Sequence, residues 1–421
     1  MRSRIISRAR PNSFRVPRIQ FRAPITTTST ATPFRRKENA VQPRVQTNPQ
    51  ERVFQQLPLS DLVRTLSVLS VAALPAPLLS AIVGFVRRHS NIIVSSRILS
   101  WPIRKTFYQA FCVGEYKSEI AANIATLRSR GINGVVLSFA REAKLDGSAT
   151  TSAAGAEDKA LKSWVASNIE TISQVSSSDY IAVKFTGAGA ASVKAMQDYN
   201  YTDAMKTEGL KALKDGMFEV CEFAKQKGVK VMVDAESSLH QPAIDYLTLE
   251  AMAAYNTNGS AVVFNTYQMY LKSSLDNLKS HLQLSASKNY TMGIKLVRGA
   301  YIYVEPNRGG LIHDTKPDTD SAYDQAVDML LRGTRSDADS KPWTAEVMLA
   351  THNTQSVDKA MALYKERDHK GQPVQKLVFA QLMGMADEIS MKLARDIKGM
   401  EGEAKNGSEE GGGESGCGGE E

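Results

Sequence analysis

At 421 residues, 42% of them hydrophobic, the chain can bury a large core, either as one α/β barrel or as two or three smaller domains. Its formal charge of +8 sits in a leader: residues 1–37 hold nine Arg, one Lys and no acid, a charge of +10 that leaves the rest at −2. That near-neutral body excludes a nucleic-acid-tracking surface, and three Cys (Cys112, Cys221, Cys417) without close Cys or His pairing exclude a disulfide framework and give a metal site no support.

In chain order, the Arg-rich, Ser/Thr-rich, acid-free stretch 1–37 has the composition of a mitochondrial presequence and is set apart from the fold. An arm follows over 38–114. Within it, "TLSVLSVAALPAPLLSAIVGFV" (65–86) carries no charge for 22 residues, long enough to span a bilayer. Pro75 and Pro77 interrupt it and Ser67, Ser70 and Ser80 dilute it, so it reads as an apolar helix pair that packs on the domain or lies against a membrane.

From about residue 115 short β-branched runs alternate with helix-like stretches that often end at glycine. The runs predict strands at 132–140, 180–187, 229–236, 261–268, 292–300, 345–353 and 375–384. Between the second and third, Leu210, Leu213, Met217, Val220 and Phe223 recur at three- and four-residue steps and Gly228 closes the helix. Seven β-α units predict a (βα)8 TIM-type barrel, one strand short, over 115–390. After Ser390 the pattern gives way to Gly/Glu-rich low complexity, and 391–421 is expected to be a disordered acidic tail.

Polar residues collect where those strands end. "GAGAAS" (187–192) imitates a dinucleotide loop, but Ser192 replaces the third glycine and no acid follows at the required distance. "VKFTG" (183–187) sets Lys184 among apolar neighbours, where it must meet an acid such as Asp234 or Glu236 or hold an anionic ligand. In "VDAE" (233–236) Asp234 and Glu236 share one side of a strand and need a facing cation, for which Lys184 is the candidate. "KLVRGAY" (295–301) places Lys295 and Arg298 at the rim, with Gly299 allowing close backbone approach, which suits a phosphate-bearing or electron-rich cofactor. "ATHN" (350–353) adds neutral hydrogen-bonding groups that either grip a ribose or adenine or simply solvate a strand end.

Taken in order, "LPLSDLVR" (57–64), "FCVGE" (111–115), "VKFTG", "VMVDAE", "VFNTYQMYLK" (263–272), "KLVRGAY", "ATHN" and "FAQLMGMAD" (379–387) resemble the proline dehydrogenase family of mitochondrial FAD-dependent (βα)8 barrels. The resemblance implies FAD across the barrel mouth. Gln268, Lys295 and Arg298 would lie near the isoalloxazine and pyrophosphate, and the 299–301 backbone (Gly299, Ala300, Tyr301) beside it. Thr351, His352 and Asn353 would lie toward the ribose and adenine, with Gln381 also on the cofactor. It implies Lys184 on the proline carboxylate, Asp234 orienting cationic partners, and Leu382 at the substrate. Proline would be oxidised to Δ1-pyrroline-5-carboxylate, with a membrane quinone as acceptor, in a matrix enzyme peripheral to the inner membrane.

One departure stands out. The family's eighth strand and its Y-L-x-R-R-x-x-E-N helix, whose arginines clamp the substrate carboxylate, have no counterpart; "KLARDIKG" (392–399) offers only Arg395. The alternatives are therefore an impaired form that at most binds flavin, or a Schiff-base barrel aldolase using Lys184 or Lys295.

Overall fold

The computed structural model describes residues 57–138, 154–199, 208–303, 305, 308–333, 342–372 and 375–410. The expected presequence at 1–37 and the last part of the expected tail, 411–421, lie outside the described residues. Seven strands form one parallel sheet in chain order: β1 (Val136–Ser138), β2 (Tyr180–Val183), β3 (Lys230–Val233), β4 (Val263–Gln268), β5 (Met292–Val297), β6 (Ala345–Ala350) and β7 (Lys376–Ala380). Each is shorter than the run that predicts it; in β2, β3, β5, β6 and β7 the polar C-terminal residues leave the ladder for the loops, whereas β4 loses only its first two residues.

The sheet curls. Inner-face residues Val136 of β1 and Val378 of β7, from opposite edges, pack on one small cluster with Tyr180, Met232, Phe264 and Met348. The alternate residues, among them Ile181, Val231, Val233, Ile294, Leu296, Val347 and Leu349, join the main core against the helices. Among the described residues the result is an open TIM-type half-barrel in which β1 and β7 each pair on one side only.

Helices form the outer layer. We number them α1 (Leu59–Ala72), α2 (Ala76–Arg88), α3 (Ser90–Ser95), α4 (Arg97–Ile103) and α5 (Lys117–Ser129) in the arm. Those after the strands are α6 (Ala154–Ile172), α7 (Ala190–Gln197), α8 (Glu208–Lys227), α9 (Gln241–Tyr255), α10 (Ser274–Lys288), α11 (Lys316–Arg332), α12 (Thr354–His369) and α13 (Asp387–Glu410). In α8 the predicted stripe holds: Leu210, Leu213, Met217 and Val220 are fully buried, and Gly228 follows with φ +67°.

The expected tail needs correction. The chain does not lose structure after Ser390: α13 runs on to Glu410, and Ile389 and Leu393 are buried against Val357 and Met361 of α12. Ala386, Ile389, Leu393, Ile397 and Met400 recur every three or four residues, an apolar stripe that persists into the Gly/Glu-rich stretch.

The arm splits as its prolines predict, with a bend of 107° between α1 and α2. No single helix among the described residues is long and apolar enough to cross a membrane. α1 is tied down: its buried Asp61 pairs with Arg64 and with Arg130, just after α5, and Val68 is buried. By contrast α2, α3 and α4 bury no residue.

Candidate active site at the barrel mouth

The C-terminal ends of the strands bring most of the expected residues to one rim. Lys295, on the inner face in register with Thr266 and Met348, donates from Nζ to Asp234 Oδ1 at 2.7 Å; both side chains are about one-sixth exposed, at 16% and 18%. The sequence reading names Lys184 as the facing cation; Lys295 is a partner of Asp234 that it does not name. Glu236 is buried and turns to the β2 loop, accepting from the Thr186 backbone N–H at 3.1 Å and from the Thr186 hydroxyl. Burial pushes the Glu236 carboxyl up, against the pull of those Thr186 bonds and of the nearby Lys184 charge. Lys184 thus lies at the mouth within electrostatic reach of Glu236, at the turn where β2 passes into the 3-10 helix Phe185–Ala188.

Arg298 takes a different course. It is three residues beyond Lys295, and odd spacing on a strand turns a side chain to the other face. Its Nε donates to Asp320 of α11 at 2.6 Å, and its two terminal nitrogens donate to the Thr351 hydroxyl at 2.7 Å and the Ser356 hydroxyl of α12 at 2.9 Å. The guanidinium also lies over the Tyr323 ring, 4.4 Å from its centroid. The arginine expected to face a cofactor pyrophosphate is occupied in bracing β5, β6, α11 and α12.

Gln268 is buried and braces as well: its amide donates to the Glu236 carbonyl at 2.8 Å and accepts from the Ala300 N–H at 3.2 Å. Gly299, at φ +134°, lies so close to Tyr270 that a Cβ would sit 1.6 Å from the ring, so the glycine serves this packing. Tyr270 in turn donates to Glu305 at 2.6 Å, and buried Glu305 accepts from the Ser238 N–H. The loop after β5 is thereby latched to the loop after β3. Gly299 and Ala300 are exposed at the rim, with Tyr301 half-buried beside them.

On the β6 side, Thr351 is buried and its hydroxyl accepts from Arg298. Asn353 is the N-cap of α12, accepting from Ser356 N–H at 3.1 Å, which is a local structural duty. His352 is exposed and accepts at Nε2 from the Leu382 N–H at 3.0 Å; partial desolvation holds its pKa below the ordinary imidazole value. Gln381 links the Thr351 carbonyl (3.4 Å) to the Ser390 hydroxyl of α13 (3.0 Å), and Leu382 is exposed.

The structure therefore gathers Lys184, Asp234, Lys295, Ala300, His352, Gln381 and Leu382 at the mouth and assigns Arg298, Gln268, Thr351 and Asn353 to its frame. Sequence reasoning missed the Thr186–Glu236 and Tyr270–Glu305 latches and the Asp320, Tyr323 and Ser356 seat of Arg298. For Arg298 the parity of 295 and 298 was an available signal. A cavity of 1460 Å3 lies between α10, α11 and α12, lined by Leu282, Trp343 and Leu363 among others, and reaches Asp320, Asn353 and Ser356 beside Arg298.

The proline dehydrogenase family model matches residues 120–404, and the chain belongs to that family. It is similar to mitochondrial proline dehydrogenase 1 of Dictyostelium discoideum, at 30% identity over 347 residues, covering 71% of this chain and 58% of that protein. A probable mitochondrial proline dehydrogenase of Schizosaccharomyces pombe is 29% identical over 347 residues, covering 69% of this chain and 68% of that protein. Among solved structures, proline utilization A from Bdellovibrio bacteriovorus, inactivated by N-propargylglycine, superposes with a TM-score of 0.54 at 17% identity, covering 82% of this chain and 34% of that one. This last likeness concerns the fold. The chain spans little more than half the length of the Dictyostelium relative.

Proposed function

We propose that the chain is a mitochondrial, FAD-dependent proline dehydrogenase that oxidises L-proline to Δ1-pyrroline-5-carboxylate and passes the electrons to a membrane quinone. The observation that carries this reading is the Asp234–Lys295 pair, set beside Lys184 at the mouth of a barrel whose family match covers it. The names of the relatives support the substrate and the compartment.

The residues at the mouth fit a flavin. Lys184 and Lys295 put positive charge beside an apolar inner face of Met232, Phe264 and Met348, and Gly299 and Ala300 are exposed on the rim, a shelf suited to a planar, electron-rich ring. FAD bound there would supply the two-electron acceptor that proline oxidation requires. Lys295, the 299–301 backbone, His352 and Gln381 would hold it. Arg298, Gln268, Thr351 and Asn353 would keep that shelf in shape, with all three Arg298 nitrogens already engaged. Lys184 would bind the proline carboxylate, Asp234 would fix Lys295 in place, and Leu382 would cover the substrate's apolar ring.

The test is a visible spectrum of the purified full chain, followed by anaerobic L-proline. A flavin band that bleaches with proline supports the reading; a colourless protein, or a band unmoved by proline, defeats it. Borohydride trapping of a carbonyl compound on Lys184 or Lys295 would instead favour an aldolase.

A further inference from the structure

Behind the sheet, on its helix side, α9 carries a carboxylate without a counter-ion. Phe264 belongs to the inner cluster, so the next residue of β4, Asn265, faces the helices, and there it meets Asp245. The half-buried Asp245 accepts at Oδ1 from two amides, Gln241 Nε2 of its own helix and Asn265 Nδ2, both at 2.8 Å. No cation pairs with it among the described residues, and burial pushes its carboxyl up to about 6 against the pull of the two amides. An unpaired charge drawn out of water lowers stability where a hydrocarbon would not, so packing gives no reason for this one.

Orientation does give a reason. A carboxylate only accepts, whereas an amide has a donor end and an acceptor end. Asp245 takes the nitrogen end of both amides, and each must therefore turn its oxygen away. Both oxygens then meet backbone N–H groups at the site: Gln241 Oε1 accepts from Glu236 at 3.0 Å, and Asn265 Oδ1 accepts from Thr266 at 3.0 Å. Glu236 lies two residues beyond Asp234. Thr266 is the register partner of Lys295, and its hydroxyl donates at 2.7 Å to the carbonyl of Val233, the residue before Asp234. One oxygen behind the sheet thus fixes the backbone on both sides of Asp234 and beside Lys295.

We propose that Asp245 is a positioning residue for proline oxidation: through the Gln241 and Asn265 amides it sets the backbone that holds Asp234 against Lys295 at the mouth. The alignment stands on the hydrogen bonds, and its bearing on catalysis rests on the proline dehydrogenase reading.

The experiment compares the native full chain with Asp245→Leu, Asp245→Asn, Gln241→Met, Asp234→Asn and the double variant Asp234→Asn/Asp245→Leu. The pH is about 8, where the Asp245 carboxyl is ionised. Two quantities are read: amide hydrogen exchange at Glu236 and Thr266, which needs neither flavin nor proline, and anaerobic bleaching by L-proline per bound flavin. Asp245→Leu should speed exchange at both amides at least about tenfold. It should also slow bleaching at saturating proline about tenfold, while the half-saturating proline concentration, set by Lys184, moves less than about twofold. Asp245→Asn keeps an oxygen for the two amides and should restore both quantities to within about threefold of native. The double variant should bleach no more slowly than Asp234→Asn alone, because both changes act on one segment. Gln241→Met, which removes one arm only, should speed exchange at Glu236 but not at Thr266 and slow bleaching by a smaller factor, and it decides the matter should Asp245→Leu not fold. Native exchange at Glu236 in Asp245→Leu or Gln241→Met, losses that multiply in the double variant, or an Asp245→Asn as impaired as Asp245→Leu would each overturn the proposal. A native chain that proline does not bleach defeats the enzyme reading, and exchange at the two amides still judges the alignment.

Discussion

The two ends of the barrel lumen each carry an ion pair, and their surroundings could hardly differ more. At the N-terminal end Lys230 pairs with Glu346, which also meets Lys376 at 3.3 Å and accepts from the Ala261 N–H at 3.1 Å. Lys230 lies between the Tyr180 and Phe264 rings, 5.6 and 5.4 Å from their centroids. Burial pulls the Lys230 pKa down; burial alone would raise that of Glu346, but the Lys230 hydrogen bond and the Ala261 N–H hold it below the ordinary range. At the mouth Lys295 and Asp234 pair at 2.7 Å, on the rim where the half-barrel is open. The pair enclosed by rings and a backbone donor packs one end of the lumen; the pair at the open rim is placed to meet a ligand.

The largest effect should come from breaking the closed end. Glu346→Ala strands the Lys230 ammonium among aromatic rings, and the loss of unfolding free energy, read by urea denaturation, should be about 3–5 kcal/mol. Outside the lumen is a contrasting group, the half-buried His281, whose Nδ1 is hydrogen-bonded to the Tyr267 hydroxyl at 2.8 Å and whose pKa burial pushes down to about 4, from 6.5. Its folded pKa is the lower one, so the unfolded chain takes up the proton first. Stability is then lost as pH falls from 6.5 to 4, by about 3 kcal/mol relative to His281→Asn, measured as the difference in urea midpoints across that range.

At the open end the expected loss is of function. Lys184→Met should lower kcat/KM for proline about 100-fold, the scale of one missing charged contact in the transition state, with flavin content kept. The smallest effect should follow Arg298→Lys, which keeps the charge but cannot hold Asp320, Thr351 and Ser356 together. A loss of about 1–2 kcal/mol in stability and a fall in bound flavin, both without a change in proline KM, would show that Arg298 frames the rim.

All seven strands were legible, because β-branched runs closed by polar residues leave few alternatives in a β-α repeat. The convergence of Lys184, Asp234 and Lys295 was legible too, as a property of parallel strand ends. Their pairing was not: that Lys295 from β5, two strands away, reaches Asp234 of β3 depends on the stagger and curl of the sheet. Other differences had signals in the chain. Parity separates Lys295 from Arg298, Asn353 begins α12 where an N-cap belongs, and the 386–400 stripe continues the last helix past Ser390. The latches of Glu236 and Glu305 had none, since each depends on a loop approaching from a different strand.

The most direct test compares anaerobic bleaching by L-proline in the native chain, Asp234→Asn and Glu346→Gln. The account predicts rapid bleaching in the native chain and loss of about 100-fold in Asp234→Asn with its thermal midpoint little changed. Glu346→Gln should bleach at near the native rate in a protein that melts earlier. Equal bleaching by the native chain and Asp234→Asn, or loss of bleaching in Glu346→Gln alone, would contradict the assignment of chemistry to the mouth.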